Sequence, residues 1–378
     1  MNKKIPFNDL NRSFKLIKKR YLKKLLKIHK NSNYINGKEV SNFEKKIAKF
    51  LDVKYVISCG NGTDALMLSI FSLNLKKNDE VIIPAFSYIS VIEVVLFLGL
   101  KPVLVDVNLE TFNIDINELT KAINFKTKLI IPVHLFGNNC NMQEIIKIAK
   151  KNNIYIIEDA AQSISSKITI NNRKLNSGTL GNIGCTSFFP TKNLGCFGDG
   201  GAVITNNKKI ADKIKMLRNH GQEKKYFHKI IGFNSRLDTI QALVLSLKIN
   251  YLKGENKIRK KIALKYDNEL KNIKQISIPK KNEFSEHIYH QYSIRITNGK
   301  RNALKSFLEK KGISTIIYYP LPFQSQKAYK SKVKKIGQLR NSSIICKQIL
   351  SLPVYPYLRT DELMYIIKSI KEFFNEKK

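Results

Sequence analysis

Between about residues 50 and 205, short β-branched runs alternate with longer stretches of helical periodicity, and this alternation constrains the fold more than any other feature of the chain. Seven runs are predicted to be strands: KYVIS, DEVIIPA, KPVLVDV, KLIIPVHL, IYIIED, CTSFF and GGAVIT. They are apolar along almost their whole length, which is typical of parallel strands buried on both faces. Segments such as TDALMLSIFSLN and MQEIIKIAKKNN lie between them as predicted helices. The sequence therefore predicts an α/β fold with a mostly parallel sheet covered by helices.

The pattern changes after Gly232. One long helical stretch follows, RLDTIQALVLSLKINYLKGENKIRKKIALKYDNELKN, and beyond it HQYSIRI, ALKSFLEKKG, STIIYYP and DELMYIIKSIKEFF describe a smaller α+β unit. We therefore predict two domains joined by the long helix. Residues 1–250 form an N-terminal arm and a large domain, and residues 251–378 form a small C-terminal α+β domain.

The charge of the chain is strongly positive, with 67 Lys and Arg against 29 Asp and Glu and a formal net charge of +38. Only ten of the basic residues are arginines, the type favoured for phosphate recognition, and the lysines are scattered over polar faces of predicted helices. We therefore expect an anionic small-molecule ligand and no nucleic-acid partner. A regulatory or nucleic-acid-binding role has only the charge in its favour.

Several other classes of protein are disfavoured. The five cysteines are irregularly spaced, which indicates reduced thiols and no metal site. The longest apolar run, ISVIEVVLFLGLKPVLVDV, is interrupted by charged residues, Gly and Pro, and the N-terminus carries no signal-peptide pattern. The basic segment FKLIKKRYLKKLLKIHK is predicted to be a solvated helix, with a membrane-interfacial helix as the alternative. We expect a cytoplasmic protein without a membrane span.

The ends of two predicted strands carry residues suited to a ligand, because open α/β sheets bind ligands beyond the carboxyl ends of their strands. KYVIS is followed by a turn with Gly62 and Thr63 at the start of a helix, which could bind an anion through free N–H groups. The alternative is a simple helix cap. VIIPA is followed by Phe86 and Tyr88, either of which could stack on a flat cofactor or belong to the core.

Two further strand ends carry charged groups. IYII is followed by Glu158 and Asp159, where a buried carboxylate needs a cation or a strong donor, unless Asp159 caps the next helix. CTSFF is followed by Lys192, five residues after Ser187, in a segment that fits neither an NTPase phosphate loop nor a dinucleotide fingerprint. An anion cradle, an aromatic plate, a carboxylate and a lysine together match the needs of pyridoxal 5′-phosphate.

The chain resembles the DegT/DnrJ/EryC1/StrS family of pyridoxal-phosphate-dependent nucleotide-sugar aminotransferases. The motifs NGTDAL, DEVIIPAFSYIS, IPVHLFG, IEDAAQ, SFFPTKNLG, GDGGA, RNHGQ and GFNSRLDTIQA all occur in family order. The resemblance implies the fold-type I architecture of aspartate aminotransferase, in which residues 1–250 would bind the cofactor.

The resemblance also implies roles for individual residues. Lys192 would form the Schiff base with the cofactor and act as general acid/base, and Asp159 would hold the pyridine nitrogen. Gln162 would contact the ring and Tyr88 would stack on it. The implied phosphate ligands are Gly62, Thr63, Ser187 and Asn234, the last coming from the neighbouring subunit of a homodimer with shared active sites. The implied substrate contacts are Arg236, Tyr318, Tyr319 and Gln324, and many relatives have histidine at the positions of Tyr318 and Gln324.

The implied reaction is amino transfer from L-glutamate to a keto nucleotide sugar. The motifs around Lys192 are most similar to those of enzymes that aminate C3 of UDP-2-acetamido-2-deoxy-3-oxo-glucuronate, for O-antigen and lipopolysaccharide sugars. The alternatives are a dTDP-3-keto-6-deoxyhexose or 4-keto sugar aminotransferase, a pyridoxal-phosphate-dependent sugar dehydratase and a non-catalytic regulator. Dehydratase relatives have histidine in place of the lysine, so Lys192 favours transamination.

Overall fold

The computed structural model describes residues 4–375 of the chain. Its helices are α1 Leu10–Lys15, α2 Lys18–Asn31, α3 Lys38–Leu51, α4 Gly62–Ser72, α5 Ser90–Phe97, α6 Ile116–Ala122, α7 Met142–Lys151, α8 Lys208–Leu217, α9 Thr239–Lys248, α10 Leu252–Leu270, α11 Arg301–Lys310, α12 Arg340–Gln348 and α13 Thr360–Asn375. Its strands are β1 Tyr55–Cys59, β2 Glu80–Pro84, β3 Lys101–Val105, β4 Thr127–Ile130, β5 Tyr155–Asp159, β6 Lys167–Ile170, β7 Arg173–Asn176, β8 Ile183–Ser187, β9 Gly201–Thr205, β10 Gln222–Lys224, β11 Phe227–His228, β12 Ile276–Ser277, β13 Tyr292–Ile296, β14 Lys334–Lys335 and β15 Ile349–Leu352.

Eight strands form one large sheet in the order β1-β9-β8-β5-β4-β2-β3-β14. Neighbours from β8 to β14 pair in parallel, whereas β9 is antiparallel to both β1 and β8. The predicted α/β fold with a mostly parallel sheet is therefore confirmed, and all seven predicted strands lie in this sheet. Strands β2, β8 and β9 are buried along their whole length, as their apolar sequences predict.

Two predicted segments are divided in the structure. The run KLIIPVHL forms a strand only over Thr127–Ile130, because Pro132 has no N–H to donate to a ladder, and a 3-10 turn follows at Leu135–Gly137. The stretch predicted as one long helix consists of α9 and α10, separated by a turn at residues 249–251. Its apolar pattern continues through the turn, which is why the sequence did not indicate the break.

The C-terminal part of the chain builds a second core around the antiparallel sheet β12-β13-β15. Its largest fully buried side chains include Tyr266, Tyr292 and Tyr355, and helices α10, α11 and α13 contribute apolar residues. Two segments cross between the parts of the chain: β14 pairs with β3 of the large sheet, and Ile5 pairs with Ile313. The boundary at residue 250 stays a prediction.

Helix starts in the large-sheet region are fixed by side-chain caps. Asn61, Asp115, Asn141 and Asn207 each accept a backbone N–H from the first turn of the helix that follows. Each of these helices begins directly after a strand or a short loop, so the caps determine where the chain turns away from the sheet. Over residues 4–375, no helix is both long and apolar enough to cross a membrane.

Candidate active site

A cavity of about 580 Å³ lies at the carboxyl ends of β1, β2, β5 and β8. The four segments that the sequence singled out all reach it, with Gly62 and Thr63 after β1 and Tyr88 after β2. Six more predicted residues lie in its wall: Asp159 and Gln162 after β5, Ser187 and Lys192 after β8, and Tyr318 and Tyr319 from the C-terminal part of the chain. Nine of the twelve predicted site residues therefore line one cavity.

The first turn of α4 provides the predicted anion cradle. Asn61 caps the helix by accepting the N–H of Asp64 at 2.8 Å, and the first N–H groups of a helix have no partner within it. Gly62 and Thr63 stand in the cavity wall at this point. A Cβ atom at Gly62 would lie 2.8 Å from the Cβ of Ser187, so only glycine allows the two segments to approach this closely. Asn61 therefore caps the helix, while Gly62 and Thr63 remain available to bind an anion.

Asp159 is buried, with 5% of its surface exposed, at the end of β5. Its Oδ1 accepts the N–H of Ala161 at 3.0 Å, in a turn rather than at the start of a helix, so the capping alternative is wrong. Burial raises the pKa of Asp159, against the opposing effects of this hydrogen bond and of the positive charge of Lys192. A buried carboxylate with one neutral donor is suited to hold a protonated ring nitrogen.

Lys192 lies in the turn that follows β8, where its N–H donates to the carbonyl of Phe189 at 2.8 Å. Burial of its amine in the cavity lowers the pKa to about 8, and the carboxylate of Asp159 opposes this shift. Much more of the amine is therefore neutral near pH 7 than in an exposed lysine, and the neutral amine is the form that attacks a carbonyl carbon.

Aromatic side chains cover one wall of the cavity. Phe86 is buried in the core, whereas Tyr88 is 53% exposed and lines the cavity, so Tyr88 is the available stacking partner. The rings of Tyr88 and Tyr319 lie 6.1 Å apart, centroid to centroid. Gln162 accepts the N–H of Phe136 at 2.8 Å and donates to the hydroxyl of Tyr319 at 3.2 Å. Gln162 is therefore held in a fixed orientation beside the space for a ring.

Three predicted residues are absent from the cavity wall. Asn234 is exposed, although the hydroxyl of the next residue, Ser235, binds the N–H of Gly60 and the carboxylate of Asp64. Arg236 donates to the side-chain oxygen of Asn219 at 3.2 Å.

Gln324 is the third of these residues. Its amide group donates to the hydroxyl of Ser342 on α12 at 3.0 Å, and Gln324 packs there instead of reaching the cavity. A substrate contact for Gln324 stays a prediction.

The wall also contains polar residues that the sequence did not single out, among them Ser87, Thr191, His290 and Gln291. The hydroxyl of Ser87 is buried and has no hydrogen-bond partner among the described residues, so it is free to bind a ligand. His290 shares a hydrogen bond of 2.9 Å with the Oδ1 of Asn193, the residue after the lysine. Its place could not be read from local sequence, because it reaches the site from a distant part of the chain.

These residues fit pyridoxal phosphate. The helix start and Ser187 suit its phosphate, Asp159 its ring nitrogen, Tyr88 its ring face and Lys192 its aldehyde. No group of His, Cys, Asp and Glu side chains within residues 4–375 is arranged to hold a metal ion.

Comparison with known proteins gives consistent matches. The model of the DegT/DnrJ/EryC1/StrS aminotransferase family matches residues 15–371. A pleiotropic regulatory protein of Geobacillus stearothermophilus is 39% identical, with 98% of each chain covered. The UDP-2-acetamido-2-deoxy-3-oxo-D-glucuronate aminotransferase of Pseudomonas aeruginosa is 38% identical over 97% of this chain and 99% of its own. The dTDP-3-amino-3,6-dideoxy-alpha-D-galactopyranose transaminase of Aneurinibacillus thermoaerophilus is 36% identical over 98% and 99%.

Solved structures agree with the fold and the cofactor. DesV of S. venezuelae superposes with a TM-score of 0.94 at 31% identity, covering 99% of this chain and 100% of its own. NtdA of Bacillus subtilis, solved with its cofactor PMP, has a TM-score of 0.89 at 31% identity, covering 99% and 86%. The predicted fold-type I architecture, the enzyme class and the pyridoxal phosphate cofactor are thereby confirmed. Because the matched residues run through nearly the whole sequence, the chain belongs to the DegT/DnrJ/EryC1/StrS aminotransferase family.

Proposed function

We propose that this protein transfers an amino group from L-glutamate to C3 of a keto nucleotide sugar, and that the sugar is UDP-2-acetamido-2-deoxy-3-oxo-glucuronate or a related UDP sugar. The observation that carries the reaction is the cavity in which Lys192, with its lowered pKa, lies near Asp159 and the first turn of α4. The 38% identity to the Pseudomonas aeruginosa enzyme supports the substrate.

Each residue has a distinct task in this reaction. When bound, pyridoxal phosphate supplies the carbonyl that receives the amino group and the ring that stabilises negative charge on the reacting carbon. Gly62, Thr63 and Ser187 bind the phosphate, and Tyr88 covers the ring. Asp159 keeps a proton on the ring nitrogen, and Lys192 holds and moves a proton at its Nζ. Tyr318 and Tyr319 face the substrate side.

We further propose a homodimer with shared active sites, in which Asn234 and Arg236 act in the neighbouring subunit. The exposure of Asn234 supports this arrangement, since the side chain is free to reach a second chain. Large apolar side chains are also exposed on a single chain, among them Tyr226, Phe227 and Ile231. Apolar groups that are this exposed are often covered by a partner.

The cellular setting is part of the proposal. We assign the reaction to the cytoplasm and its product to cell-surface polysaccharide, such as the O-antigen of lipopolysaccharide. The five cysteines are buried and form no disulfides within the described residues, which is in keeping with a reducing compartment.

A second candidate is amino transfer to a dTDP-linked keto sugar. It is supported by the 36% identity to the Aneurinibacillus thermoaerophilus transaminase. A panel of UDP- and dTDP-linked 3-keto and 4-keto sugars separates the two candidates. Each sugar is incubated with glutamate labelled at its amino nitrogen, and the product is identified by mass spectrometry.

The same assay tests the reaction itself. We expect labelled nitrogen in the sugar product, no product with Lys192→Ala, and full activity with Lys209→Ala, which removes an exposed lysine. Borohydride should fix the cofactor on Lys192 alone. A deoxygenated product without the label would indicate a dehydratase. Protein that binds no pyridoxal phosphate after reconstitution would contradict any reaction of this class and favour a regulator.

A further inference from the structure

A second, smaller recess of about 230 Å³ lies beside the active-site cavity. The two share Thr191, His290, Gln291 and Tyr318 in their walls, so the recess is next to the Lys192 end of the cavity. Its other polar wall residues are Asn8 and Arg259.

Arg259 is the unusual member of this wall. Only 5% of its surface is exposed, and its Nη1 donates to the carbonyl of Val354. Its Nε has no hydrogen-bond partner within residues 4–375, and Glu255 acts on it only through its charge, without a hydrogen bond. Buried arginines are almost always paired, because an unpaired buried charge is costly.

The charge of Arg259 persists at neutral pH. Burial lowers its pKa to about 10, while Glu255 and Tyr357 oppose that shift. The other titratable groups that face the recess and its border do not neutralise it. Burial, with the positive charges of Lys192 and Arg259, pushes the pKa of His290 well below its usual value, so this imidazole is neutral. The recess is therefore a buried positive site with several neutral donors and no acid in its wall.

We propose that this recess binds a carboxylate of a substrate through the guanidinium of Arg259, with Asn8, Thr191 and Gln291 as neighbouring donors. A guanidinium has a planar set of N–H groups that matches a carboxylate. The identity of the ligand rests on the proposed function, in which carboxylates come from two sources. One is the amino donor glutamate, and the other is the uronate group of the sugar.

The test measures binding without turnover. Glutarate has both carboxylates of glutamate but no amino group, so it binds without reacting. Its affinity for the cofactor-loaded protein is measured by isothermal titration calorimetry, with uncharged glutaramide as a control ligand. If the recess serves the amino donor, we expect Arg259→Met to weaken glutarate binding roughly 10- to 100-fold, the usual effect of losing a hydrogen bond to a charged group. Arg259→Lys should give a smaller loss, and binding of glutaramide should not change.

Two further variants support the test: one is a matched control, and the other tests the recess without altering the core. Lys260→Met removes the exposed charge next to Arg259 on α10 and should leave glutarate affinity unchanged. Asn8→Asp changes a partly exposed wall residue without touching the core. Because the new carboxylate would pair with Arg259 and repel the ligand, we expect roughly tenfold weaker binding of whichever carboxylate ligand the recess serves.

A second pair of ligands distinguishes the sources. UDP-glucuronate and UDP-glucose differ by a carboxylate at C6. If the recess serves the sugar, Arg259→Met and Asn8→Asp reduce the preference for UDP-glucuronate and leave glutarate unaffected. If it serves the amino donor, only glutarate binding weakens.

The inference is overturned if Arg259→Met and Asn8→Asp change neither glutarate affinity nor the preference for UDP-glucuronate. If Arg259→Met does not fold, Asn8→Asp and Arg259→Lys decide by the same criteria. An Arg259-dependent glutarate affinity in a protein that aminates no sugar would instead contradict the proposed function alone.

Discussion

At Lys192, two opposing effects determine how much of the amine is neutral. Burial lowers the pKa and the carboxylate of Asp159 raises it, and the net value is about 8. At pH 7 about one amine in ten is then neutral, compared with roughly one in 2500 for an unperturbed lysine. The cavity thus gives this lysine a reactivity toward carbonyl groups that an exposed lysine of the chain does not have.

The pH dependence of cofactor capture follows from this pKa. When apoprotein is mixed with saturating pyridoxal phosphate, the rate at which the visible absorbance of the bound cofactor appears should rise with pH. Its midpoint should lie near 8, because the neutral amine is the nucleophile. Asp159→Asn removes a charge that raises the pKa of Lys192, so the midpoint should move to lower pH. A midpoint near that of a free lysine, or a shift to higher pH in the variant, would contradict this assignment.

The contact between Gly62 and Ser187 predicts a second residue-level effect. In Gly62→Ala, the new Cβ would lie 2.8 Å from the Cβ of Ser187, and the two segments proposed to bind the phosphate must move apart. Such overpacking costs about 1–3 kcal/mol, which corresponds to cofactor affinity weakened about 5- to 150-fold in an equilibrium titration.

Gly254→Ala is the matched control. Apart from its chain neighbours and the backbone of its own helix, no atom lies within 4 Å of a Cβ at this exposed position of α10. We therefore expect unchanged cofactor affinity and a gain of about 0.5–1 kcal/mol in the free energy of unfolding, because alanine favours a helix. Equal cofactor affinity in Gly62→Ala and Gly254→Ala would contradict a role for the close approach of Gly62 to Ser187 in cofactor binding.

Most of the wall residues that the sequence identified are fixed by their distance from a strand end, whereas Tyr318 and Tyr319 were named only through the family resemblance. Asp159 and Lys192 follow buried strands directly, so the sheet alone brings them to one edge. The direction of Gln324 depends instead on packing against Ser342 of α12, and His290 comes from the C-terminal part of the chain. Neither relation leaves a local pattern that could have been recognised.

At the scale of elements, a buried network joins the end of β5 to the loop before β8. The carboxylate of Glu158 is fully buried and accepts the N–H groups of Gly178, Leu180 and Gly181 at 2.6–3.0 Å. It also binds the Nε2 of His134 at 2.9 Å. The Nδ1 of this ring accepts the N–H of Cys140, so the proton is on Nε2 and the ring donates to Glu158. One carboxylate thus satisfies four donors directly behind Asp159.

Glu158→Gln should loosen this junction. The amide that replaces one carboxylate oxygen points N–H groups at backbone N–H donors, leaving buried donors unpaired. We expect the free energy of unfolding to fall by about 2–4 kcal/mol in chemical denaturation. Glu118→Gln, which removes a surface pair with Lys121, should leave that energy nearly unchanged. Equal stability of the two variants would refute a structural role for the network.

Elements with apolar runs could be predicted, and those without could not. All seven predicted strands are present because each buries an apolar run. Strand β14 consists of two lysines that pair with β3 at the edge of the large sheet, and Lys334 also forms an ion pair of 2.9 Å with Glu80 of β2. It buries no apolar run, so no local pattern predicted it. The turn between α9 and α10 was missed for the opposite reason, since apolar residues continue through it.

At the scale of the whole molecule, the cavity of a single chain lacks Asn234 and Arg236, two of the predicted site residues, in its wall. Asn234 is exposed and outside the cavity wall, although Ser235 is tied to Gly60 and Asp64 at the start of α4. The segment is therefore held close to the first turn of α4 in its own chain, while the side chain of Asn234 is exposed. Two placements of Asn234 are compatible with this arrangement. It acts either in the site of its own subunit, after a local rearrangement, or in the site of the neighbouring subunit.

Subunit mixing distinguishes these two placements of Asn234. Lys192→Ala and Asn234→Ala are each expected to lose activity as pure proteins. When they are mixed one to one, unfolded and refolded together, half of the dimers are hybrids. If Asn234 acts across the interface, each hybrid contains one site with an intact Lys192 and an intact Asn234, and the mixture regains about a quarter of the wild-type amino transfer activity. If Asn234 acts within its own subunit, no site in any hybrid is intact and no activity returns. Recovery must also require refolding together, because simple mixing of stable dimers exchanges no subunits.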